Sequence, residues 1–410
     1  MKKILSLFLC ALLMISAFSA VALADGEDAY ALDEEYYSRF KGQNIKLYVY
    51  NWGEYIADGA DGSRDVIAWF EELTGIDVEY TTFDTNEGLY SKLQSGSAYY
   101  DIVIPSDYMV SRLAEQGMLE KLNYENVPNF EKYVDESFKN PDYDADQEYS
   151  IPYTWGTVGI IYNTKYIESV DSWSALWNEE YAGKILMFDN SRDSFAIALK
   201  SLGYSLNSEN VDEITAAAEL LKQQKPLVQA YVMDQIFDKM VEENAWIAPY
   251  YAGDFITMSE DNENLAFAFP KEGTNRFVDA MCIPVGCVNK EAAEMFINFM
   301  CEPAVSAENC GMIGYSTPIS EAKNLMDAEM VENDIAYPSE DILANTEIFV
   351  NLPDEVNQQL DILWISVSIG SLTKGFWLVI SVATVSITAY CIYHMSVKKK
   401  RAMMRANKTV

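Results

Sequence analysis

The sequence predicts an α/β protein of two lobes, each a mostly parallel sheet flanked by helices, followed by one C-terminal transmembrane helix. Three observations predict it. Strand-like and helix-like patterns alternate as β-α-β-α-β-α from residue 44 to 117, the mark of a parallel sheet covered by helices. A second alternating series begins at Val158, and the roughly 340 exported residues exceed one ordinary core. Finally, Phe376 to Met395 is a run of 20 residues without an acidic or strongly basic side chain, the length that a bilayer core requires.

In order, Asn44 to Tyr50 reads as a strand. Arg64 to Leu73 places Val66, Trp69, Phe70 and Leu73 on one helical face, with Gly75 as the stop. Ile76 to Tyr80 alternates as a strand, and Glu87 to Gln94 is helical. Asp101 to Pro105 is a short apolar strand, after which Ser106 caps a helix running to Gln116, with Gly117 beyond it. Asn123 to Tyr149 is polar, broken by Pro128 and Pro141, and reads as loop with one short helix. In the second series, 158–162, 185–188, 246–250 and 265–269 are strands, and 194–202, 210–224, 235–243 and 290–300 are helices. Glu340 to Asp361 reads as the last ordered piece before a Ser/Gly-bearing tether.

The ends set the compartment. Met1-Lys2-Lys3, an apolar run and the small-x-small pattern Ala22-Leu23-Ala24 form a secretory signal over residues 1–24. Lys398, Lys399, Lys400, Arg401, Arg405 and Lys408 follow the span and place residues 396–410 in the cytoplasm. The chain is therefore expected at the cell membrane, single-pass, facing the extracytoplasmic side. The net charge is −34. Residues 25–375 hold 63 acids against 21 bases, a field that favours cations and repels nucleic acid. The single His394 lies in the span, which removes Ser-His and Cys-His catalysis and His-based metal sites from the exported part. Export permits disulfides between Cys282 and Cys287 or Cys301 and Cys310, but free buried thiols satisfy the sequence equally well.

Ligands of open α/β sheets sit beyond the carboxyl ends of the strands. The stretches there are rich in aromatic rings and acids: "YNWGEY" (50–55), "PSDY" (105–108), "FDNSRD" (188–193), "PYYAGDF" (249–255), "NRFVDAM" (275–281) and "IGYSTP" (313–318). A Trp, a Tyr and a carboxylate at one strand end suit one wall of a cation cage, since ring faces and carboxylates both attract ammonium groups.

The ordered set "LYVYNWGEYI", "YDIVIPSDYMV", "YSIPYTWGTVGIIYN", "SWSALWNEEYAGKILMFDNSRD", "PKEG", "INFM" and "IGYSTP" resembles the spermidine/putrescine-binding proteins of ABC importers, from about Lys46 to Tyr337. The resemblance implies a two-lobed periplasmic-binding-protein fold, type II-like, that closes on its ligand. It places lobe 1 at 44–152 with 274–318 and lobe 2 at 153–273 with 319–362, followed by a tether at 363–375. Crossings fall near Ile151 to Tyr153, near Lys271 to Thr274 and near Pro318. It implies a polyamine pocket formed by Trp52, Tyr55, Ser106, Tyr108, Asn190, Asp193, Tyr251, Phe277, Asp279 and Tyr315. Asn190 stands where the family has an acid, Tyr251 and Phe277 where it has Trp, and Gly53 where some members have Thr. Trp155 and Trp177 read as packing, and Glu54 and Asp107 as exposed acids or pocket residues. The implied partners are ABC permease subunits and their ATPase, with no cofactor, metal, nucleic acid or catalysis. Alternatives are a tethered binding protein for another small ligand, a polyamine sensor, or a surface hydrolase using two carboxylates.

Overall fold

The computed structural model describes residues 31–368. The signal segment 1–24, the apolar run 376–395 and the basic tail lie outside the described residues. Among the described residues no helix is long and apolar enough to cross a membrane.

The first series folds as β1 (Lys46–Trp52), α1 (Val66–Thr74), β2 (Asp77–Phe83), α2 (Asn86–Gln94), β3 (Ile102–Val103) and α3 (Asp107–Glu115). The second comprises β4 (Ser150–Asn163), β5 (Ile185–Phe188), α4 (Ser191–Ser201), α5 (Val211–Gln224), β6 (Val228–Val232), α6 (Ile236–Val241), β7 (Ile247–Tyr251), α7 (Ala252–Asp261), β8 (Leu265–Ala268) and β9 (Thr274–Cys282). Then come α8 (Lys290–Met300), α9 (Pro303–Ile313) and β10 (Thr346–Glu347). Local chemistry explains the boundaries. The Asp65 side chain accepts from Ala68 N at 2.8 Å to start α1, and Gly75 ends it in the left-handed region at φ 71°. Between them Val66 and Phe70 face inward, and Phe70 meets the rings of Phe296 and Phe299 on α8 at 5.0 and 5.3 Å.

The strands follow the order β2-β1-β3-β9-β4-β7-β5-β6, with β10 on β9 and β8 on β4. The expectation of mostly parallel sheets holds only at the flanks. β1 is parallel to β2 and β3, and β5 to β6 and β7. In the middle, β4 is antiparallel to β7, β8 and β9, and β9 is antiparallel to β3. The cause is connectivity. The chain leaves the first half along β4 and returns along β9, so these two strands run in opposite directions and each belongs to both halves. Residues 150–157 of β4 pair with β9, whereas 158–163 pair with β7 and β8. The result is one mixed sheet in two halves, joined through β4 and β9.

Other departures are local. The stretch 275–281, read as a strand-end loop, is the body of β9. β6, α7 and α9 were not legible as elements. Residues 363–368 of the expected tether are helical, in Asp354–Ser368. All four cysteines described are free thiols, and Cys282, Cys301 and Cys310 are buried.

Candidate ligand-binding cleft

β1 delivers the first wall. Its register sets Trp52 beside Phe83 of β2, and the two rings meet at 4.4 Å. Trp52 is the last residue of the strand itself, not of a following loop. Three residues on, Tyr55 is buried. Its hydroxyl donates to Asp279 Oδ2 at 2.7 Å and pairs closely with Thr154 Oγ1. From Tyr55 a row of rings crosses the cleft: Tyr315 at 4.6 Å, Phe277 at 6.3 Å from Tyr315, and Tyr251 at 5.4 Å from Phe277. Tyr315 seats on the backbone of Gly253, where any Cβ would overlap its ring. Gly253→Ala is therefore expected to cost about 1–3 kcal/mol of stability, as overpacking does, read by urea unfolding. An unchanged midpoint would show that Tyr315 moves aside freely.

The carboxylates come from β9 and from helix starts. Asp279 is 4 % exposed, and its Oδ1 takes no well-formed hydrogen bond among the described residues. Burial raises its pKa to about 6, offset in part by the neighbouring Ser106 and Tyr55 hydroxyls. Asp193 occupies the first turn of α4. Its Oδ2 accepts from the Tyr251 hydroxyl at 2.8 Å and from Asn190 Nδ2 at 2.9 Å, and burial raises its pKa. Asp254, at the start of α7, is buried and shifted well upward, again by desolvation. The lining of this cleft carries five carboxylates, Glu87, Asp193, Asp234, Asp254 and Asp279, against one guanidinium, Arg192.

All ten residues expected at the site line this one cavity of about 60 Å³. Their local roles differ from expectation in two cases. Asn190 is the N-cap of α4, its Oδ1 accepting from Asp193 N at 2.8 Å, so Asp193 sits inside the helix rather than before it. The Ser106 side chain makes no cap bond to α3. Its hydroxyl instead accepts from Asn86 Nδ2 at 3.1 Å. The Tyr108 hydroxyl donates to Glu87 at 2.9 Å, and the Arg192 guanidinium lies over the rings of Tyr108 and Phe349 at 4.9 and 4.5 Å.

Asp107 is structural. It is fully buried, and its two oxygens accept from Tyr108 N at 2.6 Å and Val278 N at 3.1 Å, tying α3 to β9. Trp155 and Trp177 pack as expected, donating to the carbonyls of Thr317 and Leu220. Asp234, Asp254 and Glu87 escaped the sequence reading. Asp254 lies within "PYYAGDF", so its signal was present, whereas nothing local marks Asp234. A larger groove of about 890 Å³ opens around Trp155, Arg276 and Val278. Alternation along β9 sends Arg276 and Val278 into that groove and Phe277 and Asp279 into the cleft. The groove lacks the enclosed carboxylates that set the cleft apart.

Residues 65–339 match the family described as bacterial extracellular solute-binding protein. The spermidine/putrescine-binding periplasmic protein of Escherichia coli K12 is 34% identical over 332 residues, 80% of this chain and 91% of that protein. The putrescine-binding periplasmic protein of Pseudomonas aeruginosa UCBPP-PA14 is 30% identical, over 80% of this chain and 93% of its own. Among solved structures, one from Listeria monocytogenes described as a spermidine/putrescine ABC transporter is 38% identical with a TM-score of 0.75, covering 79% of this chain and 99% of that one. The substrate-binding protein of a Streptococcus pneumoniae spermidine/putrescine ABC transporter is 34% identical with a TM-score of 0.66, over 80% and 99%. With the family match spanning most of the described residues, and relatives aligned nearly end to end, this chain belongs to the bacterial extracellular solute-binding protein family.

Proposed function

We propose that this chain binds a linear polyamine of the spermidine/putrescine class in the cleft and delivers it to the permease subunits and ATPase of an ABC importer. The observation that carries the reading is the enclosure of five carboxylates among aromatic rings, with a single guanidinium to offset them. Enclosed carboxylates that outnumber their counter-charges are costly, and a multivalent cation with an apolar stem is the solute that relieves them. Trp52, Tyr55, Tyr251, Phe277 and Tyr315 then take the methylene stem and ammonium faces. Asp193 and Asp279 take the charges, while Ser106, Tyr108 and Asn190 fix their neighbours. The names of the aligned relatives support the same solute class. The family is one of solute binding, so a surface hydrolase is not retained.

In this reading the signal at 1–24 exports the chain and the apolar run 376–395 anchors it beside its permease, raising the effective concentration there. The lobe assignments 44–152 with 274–318 and 153–273 with 319–362 describe the parts that close on the ligand. Calorimetric titration of the purified chain with spermidine and putrescine tests the function. Micromolar or tighter binding of either is expected. No binding heat with either amine, in two buffers, would sink the reading.

A further inference from the structure

The face of β9 turned away from the cleft carries a charge that polyamine binding does not use. The register of β4 on β9 pairs Trp155 with Val278 and Thr157 with Arg276, so Trp155, Val278 and Arg276 share one face of the sheet. That face is the floor of the groove of about 890 Å³. Arg276 is half-buried there. Among the described residues its guanidinium enters no hydrogen bond, ion pair or ring contact. A guanidinium drawn from water without a counter-charge is costly. The chain holds 63 acids against 29 bases, so a partner for it would have been easy to supply.

The other charged groups of the groove are engaged or solvated. Lys139 pairs with Glu136 at 2.7 Å and with Glu131 at 3.5 Å. Lys323 lies 4.3 Å from the centre of the Tyr337 ring, with the charge of Asp135 near it. Asp135 accepts from the Ser137 and Ser320 hydroxyls, Glu347 pairs with Lys200 at 2.7 Å, and Asp142 is exposed. Arg276 is the cation left over, and one negative charge balances it. A dianion would meet the three carboxylates with a single free cation to hold it. The walls are aromatic. Trp155 is buried, its indole N–H held by the Thr317 carbonyl at 3.3 Å, and the Phe138 ring lies 6.0 Å away. Arg276 is the diagonal neighbour of Trp155 across the strands, yet no contact joins guanidinium to ring. The space between a fixed ring and an unpaired guanidinium suits a flat apolar body that ends in a carboxylate, the group that the guanidinium fork grips through two parallel hydrogen bonds.

We propose that this groove is a second binding site, for a monocarboxylate with a planar apolar body, and that Arg276 is its anion anchor. The site lies on the opposite face of β9 from the cleft and stands independently of the polyamine reading.

The test is titration of the full chain with para-fluorobenzoate, followed by fluorine NMR, in the wild type, Arg276→Gln and Arg276→Lys. The wild type should bind it with a Kd of about 1 mM or tighter. Arg276→Gln should weaken binding by at least about tenfold, the effect of losing a charge-assisted hydrogen bond. Arg276→Lys keeps the charge without the fork and should fall between the two. The neutral para-fluorobenzamide lacks the charge and inorganic phosphate lacks the apolar body, so each should bind at least about tenfold more weakly than the carboxylate. Spermidine affinity should be the same in the wild type and Arg276→Gln, because Arg276 faces away from the cleft. No binding of para-fluorobenzoate by the wild type, equal binding by Arg276→Gln, or equal binding of the amide overturns the proposal. Loss of spermidine binding in the wild type, with para-fluorobenzoate still bound through Arg276, would overturn the polyamine reading and uphold this one.

Discussion

Asp279→Ala is expected to weaken polyamine binding by roughly a hundredfold to several thousandfold, equivalent to about 3–5 kcal/mol for removing one partner of a buried ion pair. The side chain is 4 % exposed, its Oδ2 is held by the Tyr55 hydroxyl at 2.7 Å, and its Oδ1 takes no well-formed hydrogen bond among the described residues. An ammonium seated there without the carboxylate keeps its desolvation cost and loses its counter-charge. A purely structural role predicts something else: loss of folding with affinity intact in whatever folds. Asp279→Asn separates the two. It keeps the shape and the acceptor for Tyr55, so it should fold, melt no lower than the wild type at pH 7, and still lose at least about tenfold in affinity. Retention of wild-type affinity in that variant would remove Asp279 from the site.

Binding is also expected to weaken as pH falls through 6 and to release protons. The folded pKa of Asp279 is about 6, raised by burial above the usual value of 3.8. A raised carboxyl pKa means that the folded, ligand-free protein holds a proton that the unfolded chain has already lost. Between about pH 4 and 6 the ligand-free protein should therefore lose stability as pH rises, by at most roughly 3 kcal/mol from this group. An ammonium beside Oδ1 reverses the preference and lowers the pKa in the complex. At pH 6, where the carboxyl is half protonated, binding should expel about half a proton from Asp279. Asp193 and Asp254, both raised by burial, should add to it. Calorimetry at pH 6 in buffers of different ionisation heat measures the release directly. An apparent enthalpy that does not vary with buffer would show that no carboxyl in the cleft changes its protonation on binding.

Much of this protein is legible along the chain. The α1 helix is an instance: an apolar face spaced at 3.6 and a stopping glycine are both local, so they survive into the fold within two residues. The ten cleft residues were also reachable, because each sits in an aromatic and acidic stretch at or near a strand end, and those stretches occur in the family's order. β9 was not. Its residues 274–282 look like a loop by composition, and they become a central strand only because β4 offers an antiparallel partner from over a hundred residues away. Asp107 shows the same limit: its acid reads as solvated until α3 and β9 come together around it.

The sequence by itself determined the acidic charge, the rings at the strand ends and the single His, because these are matters of residue identity. Only the tertiary structure decided which acids share the ligand's space and which merely hold the fold. Asp279 and Asp193 face the cleft, Asp107 anchors a helix, and Asp234 reaches Gly53 from the far edge of the sheet. That distinction turns on desolvation and on contacts between segments distant in the chain, and neither is written in any local window of residues.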